Sequence, residues 1–155
     1  MGIDRLWIGP KNATRPYAVL ATAAFVVGAL LIIWSSYIHF HLWQAIGYRH
    51  IPTIGPLFIL QSVVGLLVGV LVIGVRRVWA GVIGAGFAVS TLVGFLISVE
   101  HGLFGFKDLW SSPFAHQAFA IEVATIVVLA IGIVLCLVGD NVEHRAGSTL
   151  ASIQS

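Results

Sequence analysis

Charge is what this sequence has least of. Only 9% of its 155 residues are Asp, Glu, Lys or Arg, against about 25% in a typical soluble domain. A soluble fold of this size must cover its surface with polar groups, and too few are present. The net charge of +2 is small and the basic residues are scattered. No basic stripe forms, and a nucleic-acid partner is excluded on that ground. Cysteine is reduced to one, Cys136. It rules out an internal disulfide and leaves the redox compartment unread. Inside an apolar run such a thiol reads as a small filler. Spaced ligand motifs of the CxxC or HExxH kind are missing, as are a Ser/His/Asp arrangement, a glycine-rich phosphate loop and a soluble domain to hold a substrate. No catalytic residue is assigned, and the chain is not read as an enzyme.

What is present is apolar. Hydrophobic residues make up 59% of the chain and the mean hydropathy is +1.02. They gather into four runs, at 17–38, 56–75, 79–99 and 113–138, and none contains Lys or Arg. Each has about 20 residues or more, the length an α-helix needs to cross roughly 30 Å of hydrocarbon. Val and Ile abound, but length favours helix over strand, and a lone strand leaves its edge unsatisfied in lipid. The expectation is an all-α, four-helix transmembrane bundle. Residues 1–16 form a segment before it, and 139–155 a tail whose last part, from Ala146, reads as disordered. The first run is too long for a signal peptide core, lacks a small-x-small site and ends at Trp34-Ser35-Ser36-Tyr37, so it reads as a retained helix.

The few charges give the bundle a direction. Arg5, Lys11, Arg15, Arg76, Arg77 and Arg145 lie on one side, Arg49 and Lys107 on the other. Six against two places both termini in the cytoplasm of a multi-pass protein of the plasma (inner) membrane. Trp79 on one side, with Trp43 and Trp110 on the other, suits interfacial belts. The link Arg76-Arg77-Val78 is so short that runs two and three should form a tight hairpin. Gly65, Gly69, Gly81 and Gly84 are small residues at helix-packing spacing. They serve either the bundle itself or a seam with another membrane protein or a second copy.

Five of six histidines fall on the outer side. His39, His41, His50, Glu100, His101, His116 and Glu122 form a candidate outer cluster. His39 and His41 point together only if the chain there is extended; on a helix they diverge by about 200°. Pro52 and Pro56 predict an extended stretch from Ile51 to Gly55. A metal needs three or four converging ligands. Histidines at headgroup level also serve as plain interfacial residues. No metal or other cofactor is assigned; a proton, metal, haem or quinone role stays open. Glu122 is the sharpest residue, because 16 apolar residues follow it, about 24 Å of helix. An ionised carboxylate at that depth is costly without a partner. His101, His116 or Arg49 are the partners expected, and Gln61 could join them.

Residues Tyr37 to Gln61, with His39, His41-Leu42-Trp43, Tyr48-Arg49, Ile51-Pro52-Thr53-Ile54-Gly55 and Leu57-Phe58, resemble an uncharacterised family of small four-helix integral membrane proteins of actinobacteria. The resemblance implies a topology and a bacterial source, and it assigns no activity and no site residue. Two functions follow as expectations. The first is an accessory protein docking on other membrane proteins, a respiratory-complex accessory subunit being one version. The alternative is a small carrier or cofactor-binding protein that uses the outer His/Glu cluster.

Overall fold

The computed structural model describes the backbone of residues 3–154, and the side chains there except those at 150, 151, 153 and 154. Four helices account for most of it: α1 Arg15–Ala45, α2 Ile54–Val75, α3 Val78–Glu100 and α4 Ala115–Gln154. All four are long and apolar enough to cross a membrane. Short 3-10 turns lie at Ile3–Trp7, Pro10–Asn12 and Tyr48–His50. Among the described residues the only strand-like pairing is one isolated bridge, Leu103 with Phe106.

Helix boundaries follow local chemistry, with some departures from expectation. Pro16 sits in the first turn of α1, where its missing N–H costs nothing. Ile51 is extended before Pro52, as predicted. Gly55 is not: it is already helical, and Pro56 falls in the first turn of α2. Gly55 has no Cβ to meet the proline ring, so the usual pre-proline restriction relaxes. A Cβ there would also stand 2.7 Å from the Arg49 carbonyl oxygen. At the other end α4 runs through the polar stretch where an unstructured tail was expected. Asp140 and His144 pair at 3.7 Å one turn apart, and the Ser148 and Thr149 hydroxyls donate to the Arg145 carbonyl. Hydropathy marks the apolar part of a helix, and α4 has no proline to end it there.

α1 packs along α2 on one side and α4 on the other, and α3 packs chiefly on α4. The expected tight hairpin between α2 and α3 is looser than the short link implies: side chains more than backbones join the two helices, Val72 at Gly84, Phe87 at Gly65 and Gln61 at Thr91. Toward the histidine end they part, and Phe58, Phe87 and Phe95 line the gap. The core has two clusters. Phe25, Ala29, Ile32, Val72, Val78, Leu129 and Cys136 fill the half near the termini, with Cys136 the apolar filler anticipated. Ile38, Leu42, Tyr48, Ile54 and Ile121 fill the half near the histidines. Leu20, Leu30, Leu60, Leu67, Val82, Val127 and Ile131 face outward. A soluble monomer rarely exposes so continuous an apolar surface.

Gly65, Gly69, Gly81 and Gly84 all serve this packing. They press on Ser36 and Phe87, on Ala29 and Ile33, on Phe25 and Ile133, and on Leu129, Val72 and Ile32, respectively. At Gly84 a Cβ would meet three side chains at 2.9–3.1 Å, a closeness that neighbouring helices reach only over glycine.

Candidate functional site

The divergence of α2 and α3 leaves a crevice of about 410 Å³ in the histidine half. Its walls are mostly apolar, with Leu57, Phe58, Leu60 and Phe87 among them. Its polar lining is Gln61 from α2, the exposed Ser90 with Thr91 and Ser98 from α3, His39 from α1 and Asp108 from the loop before α4. Polar side chains inside apolar helices are costly unless they bond to something. Here they do. The Gln61 amide donates to Thr91 Oγ1 across the gap, and Thr91 donates to the Phe87 carbonyl at 3.1 Å. The Gln61 carbonyl oxygen takes no donor among the described residues, and the crevice is within its reach.

His39 is fixed from behind. Because α1 stays helical to Ala45, its ring lies one turn above Ser35, and Nδ1 donates to the Ser35 carbonyl oxygen at 2.9 Å. A carbonyl only accepts, so Nδ1 carries the hydrogen, and in the neutral ring Nε2 is the acceptor. The ring also lies 5.1 Å from Phe58, a crevice wall. His39 lines a second, smaller cavity of about 40 Å³ as well, which it shares with Asp108 and Glu122.

Glu122 is 3% exposed, and its partner is none of those expected. The Ser35 hydroxyl donates to its Oε1 at 2.5 Å, across the α1–α4 seam. Thus Ser35 holds both residues, Glu122 through its hydroxyl and His39 through its carbonyl. His101 and His116 lie exposed at the bundle's end, and Arg49 is turned to His50. The reason is position: Glu122 is two turns into α4 and faces α1, whereas His101 caps α3, Arg49 lies in the Tyr48–His50 turn and His116 is exposed in the first turn of α4.

The structure therefore brings two members of the outer cluster together and leaves five apart. His41 packs between the rings of Tyr37 and Phe114, diverging from His39 as a helix requires. His50 accepts from Arg49 Nε at 3.0 Å. Glu100 and His101 are exposed at the end of α3, and His116 lies on Trp110. Among the described residues no group of three or more metal-type side chains gathers.

Sequence reasoning did not place Ser35, Thr91, Ser98 or Asp108 in the site. Ser35 and Thr91 carried a readable signal, being hydroxyls inside apolar runs, and Ser35 is four residues from His39. Asp108 carried none. It is buried by its loop: its backbone N–H donates to Ser98 Oγ at 3.3 Å, and its Oδ1 accepts from Leu109 N–H at 2.9 Å. Comparisons with protein-family models, with curated proteins and with solved structures gave no match.

Proposed function

We propose that this chain is a multi-pass membrane protein, its basic end in the cytoplasm, that binds an amphiphile taken laterally from the bilayer between α2 and α3. The observation carrying this reading is the crevice itself, lined mostly by apolar side chains with a few polar ones among them. Its volume of about 410 Å³ falls within the roughly 300–1,000 Å³ of ordinary ligand sites. A bilayer supplies molecules of the matching form, with a compact hydrogen-bonding head and an apolar tail. A quinone fits best, because its carbonyl oxygens accept, and the donors facing the crevice with a proton to give are the Ser98 hydroxyl and the second N–H of the Gln61 amide. Phe58, Phe87 and Phe95 offer ring faces for its head. The seat so defined is a small carrier or binding site; no bond-making step is assigned to it.

The test is a titration of the purified protein, in nanodiscs of defined phospholipid, with a short-tailed quinone. Removing two polar groups at about 1 kcal/mol each predicts affinity at least ~10-fold weaker in Gln61→Leu with Ser98→Ala. Unchanged affinity in that variant would sink the reading.

Docking on another membrane protein is the second reading. Gly86, Ser90 and Gly94 recur every fourth residue along one face of α3, and a Cβ at either glycine meets nothing within 4 Å. Such a face admits a partner helix. Loss of co-purifying membrane proteins on Gly86→Leu, with quinone affinity intact, would favour docking.

A further inference from the structure

We propose that the opposite, basic end carries a separate site for a phosphate-bearing anion. A cleft of about 380 Å³ opens there between the N-terminal loop, the first turns of α1 and the α2–α3 link. Lys11, Arg76 and Arg77 line it together with Asn12 and Thr22, and no Asp or Glu does. Among the described residues the single ion pair is His144 with Asp140, so none of the three cations has a carboxylate partner.

The cleft is held in shape. The Ile8 carbonyl accepts from Val78 N–H at 2.9 Å, tying the N-terminal loop to the start of α3. The Asn12 side chain accepts from Gly9 N–H at 3.1 Å. Gly9 packs so closely that a Cβ would stand 3.0 Å from the Arg76 carbonyl oxygen. The Arg77 guanidinium lies 5.5 Å from the centre of the Trp7 ring, and Trp7 meets Trp79 edge to face. A left-handed turn at Arg76, φ 48° and ψ 47°, folds the link back over the cleft.

Charge decides which ligand fits. The carbonyl end of α2 points here and contributes roughly half a negative charge. Three cations exceed that by about two and a half charges, enough for one phosphate group. Two adjacent arginines favour phosphate because each can give it two parallel N–H bonds. The chemistry is shared by two sources, the headgroup of an anionic lipid and free phosphate. This site does not depend on the α2–α3 crevice, and either can fail alone.

The test uses the full chain, purified in mild detergent and titrated with phosphatidylglycerol, with phosphatidylcholine of the same acyl chains, and with inorganic phosphate. Bound species are counted by native mass spectrometry. Phosphatidylglycerol should bind ~10-fold or more tightly than phosphatidylcholine, a preference typical of clustered basic residues. Lys11→Gln with Arg77→Gln should remove that preference, Arg77→Lys should keep part of it, and the exposed Arg145→Gln should leave it whole. Saturable binding of inorganic phosphate that the double variant loses would also support the site, and would name free phosphate as its source. Circular dichroism and elution volume establish that the variants are folded. No preference and no phosphate binding in the wild-type chain would overturn the proposal. So would equal losses in Arg145→Gln and the cleft variant, which mean diffuse surface charge.

Discussion

In the half of the bundle near the termini, α1 and α4 meet where Gly28 presses on Leu129, and Gly84 of α3 presses on the same leucine. In the half near the histidines, α2 and α3 stand apart and a polar bridge, Gln61 to Thr91, spans the gap. α2 and α3 are alike in length, 22 and 23 residues, and in hydropathy. Covered small residues contribute to the difference. Gly28, Gly69, Gly81 and Gly84 in the terminal half are filled by neighbours, though Gly74 and Gly86 there are as open as Gly94 at the histidine end. One half is spent on packing, and the other leaves room for something else.

Leucine at the two kinds of glycine should break this comparison most sharply. Gly84→Leu forces four carbons into space already held by Leu129, Val72 and Ile32. The cost should be about 3 kcal/mol or more, the upper range for overpacking a core. At Gly94 an added Cβ meets nothing and the rest of a leucine has the open crevice beside it, so Gly94→Leu should leave stability within about 0.5 kcal/mol. Thermal unfolding in detergent measures both. Similar losses in the two variants would mean that the halves are packed alike.

How far each half was legible follows from the same contrast. Four apolar runs free of Lys and Arg suffice to predict four helices, because length alone separates spanning helix from strand. The buried cluster was legible in kind but not in pairing. Glu122 announced itself as an acid inside an apolar run, yet its partner proved to be Ser35, 87 residues away. A serine in a helix gives no sign of which face is buried until the helix order is known. The divergence of α2 and α3 was not legible at all. A short link predicts a close pair, and the aromatic side chains that line the gap read as ordinary apolar residues.

The second expected effect concerns that buried acid. Glu122→Leu leaves the Ser35 hydroxyl without its acceptor in apolar surroundings. The loss should be about 1–3 kcal/mol, the usual cost of an unsatisfied buried group. Glu122→Gln keeps an acceptor at the same place and should lose less than half as much. Ser35→Ala should resemble Glu122→Leu in sign. Equal behaviour of the Gln and Leu variants would remove Ser35–Glu122 as the bond joining α1 to α4 in the histidine half.

Backbone strain separates the halves further. Among the described non-glycine residues with positive φ, Thr53, Phe104 and Phe114 lie at the histidine end, and Arg76 alone lies at the basic end. Thr53 is the most costly kind, a β-branched residue at φ 66° and ψ −45° whose side chain makes no capping bond. Thr53→Gly should therefore stabilise the protein by about 1 kcal/mol, since relieved strain outweighs added chain freedom. Destabilisation would show that the turn before α2 is unstrained.

The smallest effect is one of pH, also confined to the histidine end. Burial first, and then the negative charge of Asp108, hold the Tyr48 phenol above its ordinary value near 10. The folded state thus keeps this proton at pH values where the unfolded chain has lost it. Below about pH 10 both states are protonated; above it the unfolded state gains by ionising, and stability falls as pH rises. Tyr48→Phe has no such proton to lose. At pH 8 the wild-type chain should be more stable than this variant by about 1 kcal/mol, the worth of the hydrogen bond that the phenol donates to the Asp108 carboxylate. That advantage should shrink as pH is raised toward 11. An advantage that stays constant over this range would show that the phenol ionises alike in both states, and that the packing of Tyr48 on Phe58 and Phe106 accounts for its whole contribution.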